Sequence, residues 1–394
     1  AMYVLVNRGS VTLEGNTIIN NDAYQSGGVH LLSLTGDIRV IDNTISNNTA
    51  SSKYGAIYSS TTSGVYEQVY SGNVIENNSS FAGSGGIHVY ASSDNKIQIN
   101  NNLIVDNSLD SPSAINDNFG GGLYVYYHFG AELELTNNTI VNNHADGIGG
   151  GIHINNRRGG SEWDISNNII YDNTSNDEYI GNIGSDISIG ADLEDFNLNL
   201  KSNVFDTSLP GFGIHSGGNV VATDFDSFGR VDYEIPESNL DNVDPLFVDA
   251  ANGDYRLSSN SPLIDQGYDS GNLESFDLDG YSRESGDDVD IGAYEYQFGS
   301  IITGTNSDDI LQGTSGIDYI YTLKGVDVVS ALASDDTITL TADGVYGTKY
   351  HAKNVSNDNS VGTQEKISLE GLNLFNDVID GGDDVDTLIL TSSA

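Results

Sequence analysis

Four aspartates, Asp309, Asp318, Asp327 and Asp336, stand nine residues apart, and each is followed two positions later by an apolar residue, Leu311, Ile320, Val329 or Ile338. Two positions before each lies Ser307, Gly316, Gly325 or Ser334. Calcium takes several oxygen ligands from carboxylates and carbonyls, and a flexible acidic turn with glycines supplies them. The period therefore predicts a calcium site set built from the four aspartates, with Gly316 and Gly325 shaping the turns. The competing reading is a row of turns that hold their shape without an ion.

A second set of residues repeats over a longer interval. His30, Tyr58, His88, Tyr124 and His153 each follow an apolar residue after a small one, as in Gly28-Val29-His30 and Gly122-Leu123-Tyr124. If Val29, Ile57, Ile87, Leu123 and Ile152 point inward on strands, alternation turns the next residue outward, and stacking at ~4.8 Å aligns these residues in a column. A second outward column holds Leu32, Ser60, Tyr90, Tyr126 and Asn155. Aromatic faces and imidazoles on a sheet are a platform for sugar rings, so an extracellular polysaccharide or cell-surface glycan is the expected partner. The plainer alternative is that Tyr and His suit an exposed strand and stack on each other.

Catalysis finds weaker support. Lyase or epimerase chemistry on uronates needs a base and cations, and the candidates Arg157, Arg158, Lys53 and Lys96 do not fall at one repeat position. Glycoside hydrolysis needs two facing carboxylates, for which Asp117 and Asp146 are the pair to test. No lyase activity on alginate or pectin is expected.

The elements that position these residues are set by a seven-residue phrase, Asn138-Thr-Ile-Val-Asn-Asn-His144, with relatives at Asn16, Asn43, Asn73, Asn102 and Asn168 and a decayed copy at Asn203, spaced 27 to 36 residues apart. An alternating segment such as Leu133-Glu-Leu135 precedes each phrase, and a glycine step into a strand follows it. Period-two alternation, β-branched residues and turns of Gly, Asn, Asp and Ser argue for three short strands per repeat. Such repeats bury their apolar faces only against their neighbours, which predicts an all-β parallel β-helix over 1–215. Asparagine suits its bends because it forms side-chain ladders and tolerates left-handed backbone.

Composition narrows the partners. Among 394 residues, 57 acidic and 14 basic give a formal charge of -43, so nucleic acid and anionic membrane surfaces are excluded as expected partners. Cysteine is absent, which excludes disulfides and thiolate metal sites. No stretch has the roughly 20 apolar residues of a membrane helix. Met2-Tyr-Val-Leu-Val reads as a strand of a turn already running, and both ends are expected to be cut from a longer chain.

The repeat fades over 216–298, and this stretch is expected to cap the last apolar turn. Asp244-Pro-Leu-Phe-Val248, Gly253-Asp-Tyr-Arg-Leu257, Ser261-Pro-Leu-Ile-Asp-Gln-Gly267, Asp277-Leu-Asp-Gly280 with Arg283, and Asp290-Ile-Gly-Ala-Tyr-Glu295 follow one another here. With the repeats before it, this run resembles secreted bacterial right-handed β-helix proteins of the choice-of-anchor Q type. That resemblance implies a surface or secreted location and carries no catalytic residues. Asp277, Asp279, Asp287, Asp288 and Asp290 read as solvated loop carboxylates, with a second cation site as the alternative. The nonapeptides over 299–394 are similar to the calcium repeats of haemolysin-type (RTX-like) proteins and to segments of large bacterial surface adhesins. Gly381-Gly-Asp-Asp-Val-Asp386 is out of phase with them. The combined expectation is a fragment of a secreted surface protein for adhesion or glycan binding. The alternatives are a polysaccharide-degrading enzyme and a passive spacer.

Overall fold

The computed structural model describes residues 1–61, 64–91, 95–111, 119–127, 131–156, 161–176, 185–191, 196–206, 212–216, 219–222, 239–269, 273–283, 285–314, 316–323, 327–332, 336–342, 378–380 and 387–392. The chain divides into two compact units, Ala1–Glu295 and Tyr296–Ala394. The first is a parallel β-helix. Its strands stack turn on turn into sheets of nine, seven, eight and six strands. Sheet one begins with Met2–Val6, Val29–Ser33 and Ile57–Thr61, sheet two with Val11–Glu14 and Ile38–Ile41, and sheet three with Thr17–Ile19 and Thr44–Ser46. The fourth sheet was not anticipated. It consists of two-residue strands such as Thr49–Ala50 and Ser79–Ser80, too short to show any alternation.

Register follows the sequence repeat. Val29, Ile57, Ile87, Leu123, Ile152 and Ile187 lie side by side in sheet one, each fully buried. Ile97, Leu133, Trp163 and Leu198 do the same in sheet two. These two rows and the central isoleucines of sheet three, Ile45, Ile75, Ile104 and Ile140, form one apolar column along the solenoid.

The asparagines form two ladders. Asn16, Asn43, Asn73, Asn102, Asn138, Asn168 and Asn203 each give their side-chain and backbone N–H to the Oδ1 of the next, the last of them to Asn239. The second ladder runs Asn21, Asn48, Asn78, Asn107, Asn143, Asn173. A residue in the left-handed region precedes each rung of the second ladder from Asn48 on: Asn47, Asn77, Asp106, Asn142 and Asp172, with φ from 53° to 57°. Asn and Asp are the side chains that tolerate this conformation best, which explains the doubled asparagines of the phrase. The glycine step has a different cause. A Cβ on Gly55 would lie 2.1 Å from the Gly85 carbonyl oxygen, because adjacent turns meet there backbone to backbone.

Where the decayed copy at Asn203 has lost its second asparagine, Asp186 closes the ladder. Its Oδ1 accepts both the side-chain and the backbone N–H of Asn173, at 2.9 and 3.1 Å, and its Oδ2 accepts the Asp206 N–H at 2.6 Å. Burial pushes this carboxyl well above the usual carboxylate range.

Of the stretch expected to cap the last turn, residues 223–238 lie outside the described residues, and the part that follows them lies along the side of the solenoid. Leu240–Asp241 adds an eighth strand to sheet three, and the chain then lies along the outer face of that sheet. Leu103, Val105, Val141, Ile169 and Val204, which point away from the solenoid interior, are buried against Tyr255, Leu257, Leu263 and Ile291. The Gly292 N–H donates to the Asn167 carbonyl at 2.9 Å, and φ of 113° with Ile169 Cδ1 only 2.6 Å from an added Cβ requires glycine there. The segment is therefore a lateral cover spanning several turns. It belongs to the first unit as far as Glu295.

The second unit is a two-sheet roll. Ile301–Thr303, Tyr319–Leu323, Thr337–Ala342 and Thr387–Ser392 form one parallel sheet, and Ile310–Gln312, Val328–Ser330 and Val378–Asp380 the other. Leu311, Ile320, Val329, Ile338 and Leu340 fill the space between them.

Candidate functional site

In the first unit the predicted column forms in the predicted register. Tyr3, His30, Tyr58, His88, Tyr124 and His153 are successive neighbours across sheet one. Their rings touch in sequence, with centroids 4.8 Å apart for Tyr3–His30, 4.6 Å for His30–Tyr58 and 4.6 Å for His88–Tyr124. The exposure expected for the lower half is not found. His88, Tyr124 and His153 are buried, at 8%, 6% and 2% exposed.

Two rings from the turns before the strands cover them. Tyr54 stacks on Tyr58 at 4.2 Å and meets His88 edge-on at 4.6 Å. Phe119 stacks on His153 at 4.7 Å and lies 5.3 Å from Tyr124. Tyr54 holds φ of 60°, a conformation uncommon for a large side chain and sustained only when its surroundings impose it. Its ring packs on Gly83, where a Cβ would come within 2.9 Å.

What remains accessible is a track that changes column. Tyr3 is 63% exposed, and His30, Tyr58, Tyr90 and Tyr126 are half-buried. These five lie on five consecutive turns. Tyr90 and Tyr126 stack at 5.2 Å with 15° between ring planes. Of the other second-column positions, Leu32 and Asn155 are half-buried and Ser60 is buried. Sequence reasoning missed Tyr3, although Met2-Tyr-Val carries the same apolar–aromatic step. It also missed Tyr54 and Phe119, which lie outside the strand period.

The surroundings of the track carry no charge on the sheet itself. None of the nine strands of sheet one contains Asp, Glu, Lys or Arg, whereas sheet two presents Arg39, Glu67, Lys96, Glu132, Glu134 and Asp164. Burial lowers the His30 pKa, and burial followed by the charge of Lys53 brings His88 down to about 3, so both imidazoles are neutral at neutral pH.

The proposed catalytic groups are dispersed. Lys96 pairs with Glu134 at 2.8 Å on sheet two, while Lys53 lies near His88. Arg157, Arg158 and Asp117 lie outside the described residues. Asp146, on the side of the fourth sheet, accepts from Asn176 at 3.0 Å and lies 3.3 Å from His144 Nε2, with His144 Nδ1 2.8 Å from the Thr174 hydroxyl.

The acidic set of the lateral cover is structural in part. Asp277 and Asp290 are buried, contrary to the solvated reading, while Asp279, Asp287 and Asp288 are exposed. Asp277 accepts the N–H groups of Tyr281 and Glu295, at 2.7 and 2.9 Å. The Asp290 carboxylate accepts the Asp265 N–H at 2.8 Å. Arg283, 2% exposed, donates to the Asn101 side chain and to the Gly292 and Ala293 carbonyls, and lies 3.6 Å from Glu295.

In the second unit the nonapeptide aspartates line the turns between sheets. Asp318, Asp327 and Asp336 are fully buried and Asp309 half-buried. Each accepts an amide from eighteen residues earlier: Asp318 from Ser300 at 2.5 Å, Asp327 from Asp309 at 3.0 Å and Asp336 from Asp318 at 2.8 Å. Asp309 and Asp318 also hold the N–H and hydroxyl of Thr305 and Thr314 within their own turns. Gly316 packs with an added Cβ only 2.4 Å from the Gln297 carbonyl oxygen. Gly325 and residues 381–386 lie outside the described residues. Burial, followed by repulsion from Asp309 and Asp308, raises the Asp327 pKa. All-oxygen donors carrying negative charge fit a hard divalent cation. When bound, calcium would supply that positive charge, held by these aspartates. No group of three or more His, Asp or Glu in metal-binding arrangement occurs among the described residues.

No curated protein and no solved structure matches the chain. Residues 2–159 match the family model of the right-handed β-helix region, and residues 303–338 and 373–391 match that of the RTX calcium-binding nonapeptide repeat. The chain thus carries a right-handed parallel β-helix followed by RTX calcium-binding repeats.

Proposed function

We propose that this chain is part of a secreted or cell-surface protein that binds glycans through the aromatic track of its β-helix and uses calcium to order its C-terminal repeats. The observation that carries the glycan reading is the run Tyr3, His30, Tyr58, Tyr90 and Tyr126 on five successive turns of a strand face without charge. Aromatic faces stack on the C–H surfaces of sugar rings, and large aromatics carry much of the affinity at binding surfaces. RTX repeats support the extracellular assignment because they are typical of secreted proteins. No helix among the described residues is long and apolar enough to cross a membrane.

The test is retention on immobilised polysaccharides, comparing the parent with Tyr90→Ala/Tyr126→Ala. Both side chains are half-exposed, so the melting temperature should change little. Retention should drop at least tenfold. Equal retention would remove this face as the binding site, and no retention of the parent on any glycan would favour a spacer role.

A further inference from the structure

Resting on the glycan reading, we infer that the track takes an uncharged, linear polysaccharide lying along the solenoid axis, with about one sugar ring over each aromatic rung. Direction follows from placement. One ring stands on each of five consecutive turns, so a chain lying along a single strand would meet only one turn's aromatic. Spacing agrees with this. Turns repeat at ~4.8 Å, and the Tyr90 and Tyr126 centroids are 5.2 Å apart, comparable to the length of one pyranose unit in an extended chain.

The lack of charge follows from what surrounds the rings. A polyuronate or sulfated glycan brings a negative charge at nearly every residue, and its desolvation on a surface must be offset by bidentate or point cations. Sheet one provides none in its strands, and the chain as a whole carries -43. Burial lowers the pKa of His30, and burial beside Lys53 lowers that of His88. Among the described residues, Arg8 and Lys53 are the basic groups in the turns next to these strands, and two separated cations cannot pair with a charge on every rung. A neutral chain needs no such partners. Its hydroxyls remain hydrated at the edges while its C–H faces lie over the parts of Tyr3, His30, Tyr58, Tyr90 and Tyr126 that the ring-to-ring contacts leave exposed.

The experiment is isothermal titration of the full chain with neutral oligosaccharides of two to six residues and, in parallel, with oligouronates of the same lengths, each at low and high salt. Affinity for a neutral series should climb with length and level off near five residues. It should be insensitive to salt, and Tyr90→Ala/Tyr126→Ala should reduce it at least tenfold while Lys53→Ala leaves it unchanged. Preferential binding of the oligouronates, weakened by salt or by Lys53→Ala, would overturn the uncharged assignment and leave glycan binding intact. Affinity that saturates at two residues would overturn the axial placement. Binding of neither series would overturn both this inference and the function on which it rests.

Discussion

A buried asparagine in this solenoid is a connector with every valence used. Asn107 is fully buried, donates to the Ile75 and Val105 carbonyls and to Asn143 Oδ1, and accepts two N–H groups from Asn78, all between 2.8 and 3.1 Å. An unsatisfied buried polar group costs about 1–3 kcal/mol, so Asn107→Ala, which strands several at once, should destabilise the first unit by at least ~3 kcal/mol. Denaturant unfolding followed by far-ultraviolet circular dichroism checks this, and a loss below ~1 kcal/mol would mean the ladder is not holding the turns. The ladder also shows why its last member can be an aspartate. At the terminal position a side chain needs only to accept, and both oxygens of Asp186 do so, from Asn173 and from the Asp206 N–H.

Among elements, the lateral cover has the least expected role. It protects the outward apolar face of sheet three, and Arg283 joins it to the solenoid through Asn101, 182 residues away in sequence. Arg283→Ala would break that contact and take a donor from the Gly292 and Ala293 carbonyls, and since each unsatisfied buried polar group costs about 1–3 kcal/mol, it should destabilise the first unit by ~3 kcal/mol. The cover also makes stability depend on pH. Burial, followed by repulsion from Asp290, raises Glu295 to about 8 from an ordinary value of 4.5. A carboxyl raised in the folded state imposes no penalty while both states are protonated. Its cost grows as pH rises above the unfolded value and levels off once the folded pKa is passed. Between pH 5 and pH 8, the range set by those two values, the parent should therefore lose stability relative to Glu295→Gln. Melting temperatures of the two proteins across this range test the sign, and a constant difference would refute the coupling.

The molecule as a whole has two units with different ionic needs. The first joins its turns through amide ladders and holds its lateral cover through the Arg283 contacts. The second buries the carboxylates of Asp318, Asp327 and Asp336, and repulsion from Asp309 helps raise the Asp327 pKa. A ligand that binds only the folded state stabilises it by about 2.7 kcal/mol at a hundredfold excess over its dissociation constant. Calorimetry with calcium and then with chelator should accordingly move one transition, assigned to 296–394, and leave the β-helix transition in place. Two calcium-insensitive transitions would refute calcium binding by these repeats.

The sequence alone determined the strand period, the inward rows, the asparagine bends and the nine-residue step of the roll, because each arises from backbone requirements that recur within one turn and its nearest neighbours. It determined the register that aligns His30, Tyr58, His88, Tyr124 and His153 for the same reason. The burial of three of those five was decided by tertiary structure, since Tyr54 and Phe119 reach the column from turns with no period to announce them. So was the use of residues 239–295 as a lateral cover: its contacts with Asn101, Thr139 and Asn167 span 101 to 182 residues, and no local pattern specifies an interaction at that separation. The aromatic track is the product of both. Periodicity placed a ring within reach on every turn, and the packing of nonperiodic loops decided which of those rings still meet solvent.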